Sequence, residues 1–366
     1  MSDPANSAEY SKQTASLWMH TAETPSFGPL TGDLDVDVCV IGAGIAGLST
    51  AYLLACEGQR VAVLERGHVG GGNTGRTTAH LSNELDDRYS TLERIRGREG
   101  ARLAYDSHTA AIEQIGGIVR DERIDCDYER IDGYLFLGRG HKESELDHEL
   151  EAARRAGFTA AEKLAVSPVP ALGPGPCLRF PDQGQLHPLK YLAGLCRGIT
   201  RRGGQIFTHS AVVEIAGGDR PRVRTRDGST VHAGAVVVAT NSPITDRFAI
   251  HTKQAPYMTY AVGLRISIGA VPRALLWDTE DPYHYVRLQR VAGADGREPH
   301  DLLLVGGEDH KAGQADDGAR RFEALEQWTR ERFPGAGPVV ERWSGLVLES
   351  MDGLAFIGPD PEGGAH

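Results

Sequence analysis

Val38-Cys39-Val40-Ile41-Gly42-Ala43-Gly44-Ile45-Ala46-Gly47 sets three spaced glycines directly behind a short apolar run. Val36, Val38, Val40 and Ile41, flanked by Asp35 and Asp37, read as a strand buried in a parallel sheet. The glycines form a G-x-G-x-x-G between that strand and a predicted helix over 45–57, which ends near Gly58. Val61–Glu65 is a second apolar run, so strand, turn, helix and strand fit one βαβ unit. Each glycine has a physical task. Gly42 permits the tight turn, Gly44 lets the backbone approach a pyrophosphate, and Gly47 lets the helix pack close to the strands. The N–H groups at the helix start then face phosphate oxygens. Glu65 closes the second strand, 65 − 47 = 18 residues after the last glycine, where a carboxylate accepts from a ribose hydroxyl. A 2′-phosphate would clash with it, which disfavours NADP. The fingerprint alone leaves NAD and FAD both open, because they share the ADP half.

Outward from this unit, residues 1–34 read as an extended lead-in and 67–80 as a Gly/Thr-rich loop. Helical periodicity runs over 90–118 and ends at Gly116–Gly117; 142–156 is a charged helix and Leu189–Arg202 another. Short β-like runs occur in 124–137, and 166–185, with five prolines, reads as a surface connection. Ile206–Ile215, Arg222–Thr225 and Ala235–Thr240 read as strands. From 256 the chain turns β-rich, in Tyr257–Ser267, Ala274–Trp277, Tyr283–Gln289 and Leu302–Val305. A helix over 317–332 and late strands at Val339–Trp343 and Leu354–Ile357 follow. The expected fold is α/β: a Rossmann-like dinucleotide domain (1–120, 186–250 and 336–366) and an antiparallel-sheet substrate domain (121–185 and 251–335).

The 366 residues suit about two domains of roughly 150 residues. Acidic residues outnumber basic ones 50 to 39 with no long basic run, which argues against a nucleic-acid partner. Cys39, Cys56, Cys126, Cys177 and Cys196 are scattered, as in reduced thiols of a cytoplasmic protein. The first thirty residues lack a signal-peptide pattern, and no window approaches the ~18 apolar residues of a membrane span.

The run 38–51 with Val61-Ala62-Val63-Leu64-Glu65-Arg66 resembles the glycine oxidase and D-amino-acid oxidase superfamily. Gly75-Arg76-Thr77-Thr78-Ala79-His80-Leu81 is similar to the bacterial branch whose members often append a Rieske iron–sulfur domain. Matches continue through Gln185–Pro188, Val237–Asn241, Gly306–His310, Trp343–Gly345 and Asp352–Gly358. The resemblance implies FAD as cofactor. It implies Gly42, Gly44, Gly47 and Glu65 on the ADP half, with Arg66 beside the adenosine. Thr74, Gly75, Arg76, Thr77 and Thr78 lie in the loop passing the pyrophosphate and flavin. Val213 meets the adenine through its backbone, and Ala239 and Thr240 sit near the cofactor. Relatives often read Ala-Thr-Gly there, where this chain has Asn241. The family pattern continues past a segment like 352–358 with another strand, turn and helix, so a fragment of a longer chain is expected. Paired Cys-x-His ligands of a Rieske cluster do not occur in it.

Flavin oxidation of amines needs positioning more than acid–base machinery. The expected reaction is oxidation of a small amine or amino-acid-like substrate by hydride transfer, with O2 or a redox partner taking the electrons. A substrate carboxylate calls for an arginine fork. Arg287 is the candidate, with Tyr260, Tyr283 and Tyr285 as pocket walls; a surface or sheet-pairing role for Arg287 is equally open. His80 is expected to stay unlinked to the flavin. Glu308-Asp309-His310 reads as a turn after a strand rather than a metal site, and Trp343 as packing. The alternatives are a dehydrogenase feeding an iron–sulfur partner, a flavin-free non-catalytic module, and an NAD-dependent reductase.

Overall fold

The computed structural model describes residues 15–242, 244, 253–293 and 298–359. A short helix α1 (Leu17–Thr21) precedes β1 (Leu34–Ile41), α2 (Ile45–Cys56) and β2 (Val61–Leu64). The expected βαβ unit is therefore present. The chain continues with β3 (His80–Leu81), α3 (Tyr89–Glu122), β4 (Glu129–Phe136), α4 (Glu143–Ala156) and β5 (Glu162–Leu164). Then come β6 (Cys177–Gln185), α5 (Pro188–Arg201), β7 (Gln205–Phe207), β8 (Val212–Ala216), β9 (Arg222–Thr225) and β10 (Thr230–Val238). The last described elements are β11 (Gln254–Ile266), β12 (Leu275–Asp278), β13 (Tyr285–Val291), β14 (His300–Lys311), α6 (Gly318–Arg332) and β15 (Val339–Ser350).

The first sheet has the order β7-β2-β1-β10-β9-β8, parallel across its first four strands. From Val38 to Ile41 β1 is apolar at every position, because alternating side chains point to two covered faces. Val38 and Val40 pack with Leu48, Ala51 and Tyr52 of α2 and Leu192, Leu195 and Ile199 of α5. Cys39 and Ile41 point into a second cluster with Ala62, Leu64, Ile215 and Val223. Both faces are covered, which is the condition for a parallel sheet.

The second sheet runs β15-β11-β14-β13-β12-β4-β6-β3, with β5 on β6. It is mostly antiparallel, with β12 and β4 parallel. Its core gathers Val262, Leu264, Leu276, Val286, Leu288 and Leu303.

Four expectations change. The 166–185 segment is not all surface connection, because β6 lies inside the sheet between β4 and β3. Pro181 and Asp182 fall where the β4–β6 register slips, and Asp182 has φ 60; a bulge tolerates proline where a regular ladder does not. Glu308-Asp309-His310 is strand, not turn: β14 runs through it, bulged opposite Met258 and Tyr260. Leu354–Ile357 forms no strand, and Ile357 is 93% exposed. Within 336–366, β15 pairs with β11 and so lies on the second sheet.

Candidate functional site

The glycine turn is closed by contacts that leave no room for side chains. Gly42 has φ 108, and a Cβ there would lie 2.5 Å from the Ala239 carbonyl oxygen. A Cβ on Gly47 would lie 1.9 Å from the Gly42 oxygen, so α2 sits directly on the turn. Gly44 differs: its Cβ position meets only the Thr74 hydroxyl, at 3.1 Å. That hydroxyl also accepts from the Ile45 N–H at 3.1 Å. The Thr74 loop and the helix start thus face one another across the place where a pyrophosphate would approach.

Glu65 reaches back over the turn. One carboxylate oxygen accepts from the Ala43 N–H at 2.9 Å and the other from the Gly67 N–H at 2.8 Å. Each oxygen has a second lone pair for a ribose hydroxyl. Arg66 is exposed beside it. Val213 is the residue that the β8–β9 register skips and is half exposed. A bulge residue stands outside the ladder, which suits contact through the backbone. Ala239 donates its N–H to the Ile41 carbonyl at 2.8 Å, which pins Ala239 and Thr240 against the glycine turn. Asn241 adopts φ 65. Asparagine enters this left-handed region more readily than most residues, so it can replace the glycine of relatives. This donor set, with its closed cradle and the open approach at Gly44, fits the ADP half of FAD.

The loop from Gly75 to Ala79 is held from outside. Its carbonyls accept in turn from Ser16 Oγ, Trp343 Nε1 (2.7 Å), Trp18 Nε1 (2.6 Å) and, at Thr78 and Ala79, Arg287 Nη1 (3.0 Å each). Arg76 also donates to the Ser344 carbonyl at 3.3 Å. Arg287 is 1% exposed; Nη1 takes a third carbonyl, Leu186, and Nη2 takes Gln289. Burial pulls Arg287 down to about 9, still charged at neutral pH. Its guanidinium lies against main chain instead of standing open as a fork.

Beyond the loop, His80 stands edge-on to Tyr285, 5.6 Å between ring centres. Burial and the Arg287 charge lower His80 to about 3, so it is neutral. Tyr285 shares a 2.9 Å hydrogen bond with Thr259, and Tyr283 packs 5.6 Å from Tyr285. Burial raises Asp309 to about 6, against the hydrogen bond from Thr259 and with the help of the nearby Asp86. Asp86 is raised by burial although Tyr283 donates to it. Glu349 is raised by burial and by Asp87, Asp309 and Asp86. Tyr283, Tyr285 and Asp309 are partly exposed and Asp86 and Glu349 are exposed, so these groups form an acidic and phenolic cluster that solvent reaches.

Tyr260 is not brought to this cluster. It is 6% exposed and packs on Phe322 of α6 at 5.0 Å and on His310 at 5.8 Å. Sequence reasoning missed Trp18, Ser16, Thr259, Asp86 and Glu349 as site residues. Leu17-Trp18 inside a polar lead-in was the one visible signal; the others come from separate strands and loops that only the tertiary fold brings together. Asp278, Glu280 and His284 place ligand-type atoms within 4.8 Å of one another. The 2.9 Å His284–Asp278 pair and two main-chain N–H groups on Asp278 account for that cluster as a buried ion pair. Among the described residues no helix is long and apolar enough to cross a membrane.

Residues 37–366 match the family model for FAD dependent oxidoreductases, DAO. YhfW of Bacillus subtilis (strain 168), named for a Rieske 2Fe-2S iron-sulfur protein, is 30% identical over 346 residues, covering 94% of this chain and 66% of that protein. The chain thus spans just under two thirds of that relative. The gamma-glutamylputrescine oxidoreductase of Escherichia coli (strain K12) is 28% identical, covering 91% and 78%. The crystal structure of glycine oxidase from Geobacillus kaustophilus shares the fold, with TM-score 0.69, 19% identity and coverage of 91% and 89%. The glycine cradle, the Glu65 carboxylate and the anchored loop fit a dinucleotide, the family match makes that cofactor FAD, and the chain belongs to the DAO family of FAD-dependent oxidoreductases.

Proposed function

We propose that the chain oxidises a small amine at a carbon bonded to nitrogen, by hydride transfer to FAD, with O2 or a redox partner as final electron acceptor. The observation that carries this reading is the wall beside the cofactor loop, built from Asp309, Asp86, Glu349, Tyr283, Tyr285 and Thr259. Such a wall attracts a cationic group and repels a carboxylate. The favoured substrate therefore carries a second ammonium group and no carboxylate next to the reacting nitrogen. Relatives named gamma-glutamylputrescine oxidoreductase and glycine oxidase support oxidation of this general type.

When bound, FAD supplies the hydride acceptor. The chain's own residues do the rest. Asp309 and Asp86 hold the ammonium end, which orients the reacting carbon. Tyr285 and the neutral His80 give that carbon an aromatic wall and keep water from it. The reacting amine must itself be neutral, and the second, charged one meets Asp309 and Asp86.

Anaerobic mixing of the FAD-loaded chain with diamines, monoamines and amino acids tests the reading through bleaching of the visible flavin band. Diamines are expected to bleach it at least about tenfold faster than amino acids of similar length, a difference of ~1.4 kcal/mol in barrier. Faster bleaching by amino acids sinks the reading. Beyond the steady rise from protonation of the reacting amine, KM should rise further as pH falls through about 6, where Asp309 takes up a proton and loses its charge; Asp309→Asn should abolish that additional rise. Rapid reoxidation in air points to O2. Slow reoxidation points to a redox partner, a reading supported by the relative named for a Rieske protein.

A further inference from the structure

Five successive carbonyls, Gly75 to Ala79, are each taken by a side chain from another part of the chain. The four donors, Ser16, Trp18, Trp343 and Arg287, are at most 1% exposed. Burying a guanidinium is costly unless something requires its charge. Among the described residues no carboxylate forms an ion pair with Arg287; its partners are three carbonyl dipoles, Gln289 and the face of Trp18, 5.3 Å from the ring centre. Its Nε has no hydrogen-bond partner. A full positive charge is thus fixed behind peptides 78 and 79.

The route of the loop says what that charge faces. Glu65 marks the adenosine side of the glycine turn, and Thr74 marks the pyrophosphate. From Thr74 the chain leads on to His80, whose ring stands against Tyr285. A dinucleotide extended from the same turn must run its second half along this loop.

We propose that Arg287 is a positioning residue for the flavin half of the cofactor: it locks the carbonyls of Thr78 and Ala79, as Trp343 and Trp18 lock those of Arg76 and Thr77, and its charge favours the more negative, reduced flavin. The proposal rests on the FAD reading and goes beyond it, because it assigns how the protein sets the potential. Charge near the ring is one means by which a protein tunes a flavin.

The test compares wild type, Arg287→Gln, Arg287→Lys and Trp18→Phe for FAD affinity by fluorescence quenching and for midpoint potential by dye equilibration. Arg287→Gln is expected to weaken FAD at least about tenfold. It should also lower the potential by about 30 mV, the two-electron equivalent of a tenfold loss in preference for reduced flavin. Arg287→Lys, which keeps the charge, should recover most of the potential while affinity stays reduced. Trp18→Phe, which removes the bond to Thr77 alone, should weaken FAD several-fold and leave the potential unchanged. A folded Arg287→Gln with wild-type affinity and potential overturns the proposal. If Arg287→Gln fails to fold, the other two variants decide, and wild-type behaviour in both overturns it. A wild type that binds no FAD would instead break the cofactor reading itself.

Discussion

At the scale of single residues, the glycine turn separates two roles that the motif joins. Gly47 has the Gly42 oxygen 1.9 Å from its missing Cβ, and nothing there is a flexible side chain. Gly44 faces only a threonine hydroxyl. Gly47→Ala is therefore expected to lower the stability of the cofactor-free chain by about 1–3 kcal/mol, the usual cost of overpacking. Gly44→Ala should change that stability by less than about 1 kcal/mol, yet weaken FAD at least about tenfold, because it narrows the approach of the pyrophosphate. Urea unfolding and FAD titration of the two variants check the contrast; equal losses of stability would contradict it. This part of the site was legible beforehand because a turn motif is local: three glycines and an acid carry their geometry in their spacing. Arg287 was legible as important but not in its direction. A sequence shows that a guanidinium is available, not whether it will meet a ligand or the main chain.

At the scale of elements, legibility followed regularity. The β1–α2–β2 unit appears as expected because its apolar residues repeat with the period of one strand, one helix and one strand. β6 was hidden because its slipped register accommodates Pro181, and proline in a run argues against a strand. The β14 bulge at Glu308 and Asp309 was likewise read as a turn, since an acidic pair after glycines resembles one. The long helix α3 has a break that periodicity does not register: Gly97 has φ 73 and ψ 174 while the flanking residues stay helical. No contact blocks a Cβ there, so the constraint lies in the backbone alone. Gly97→Ala should cost about 1–3 kcal/mol, the strain of a non-glycine residue in that region. A melting curve of the variant measures it, and an unchanged midpoint would mean that α3 has straightened.

At the scale of the whole molecule, the groups that would surround the cofactor draw on both sheets and on the lead-in. The turn belongs to the first sheet, the loop is pinned by β13 and β15 of the second, and α1 closes it from the N-terminal side. A ligand held this way stabilises the entire folded state and not one domain. FAD at a hundredfold excess over its Kd should raise the unfolding free energy by about 2.7 kcal/mol. Calorimetry should then show one transition moving upward with FAD concentration; two transitions of which one is insensitive to FAD would show that the sheets unfold independently. Sheet-to-sheet relations of this kind were outside the reach of sequence reading. Thr259 and Asp309 come from β11 and β14, Tyr283 and Asp86 from loops, and only the tertiary fold brings the four together.

Synthesis on a ribosome delivers the glycine turn and Trp18 early and Trp343 late. The peptide of Arg76 waits for a donor 267 positions downstream. Until β15 docks, a nascent chain can grip the adenosine end of the dinucleotide while its redox end remains unrestrained. Loss of the Trp343 anchor is therefore expected to speed release of the coloured group, and the rate at which Trp343→Phe sheds FAD on dilution measures it.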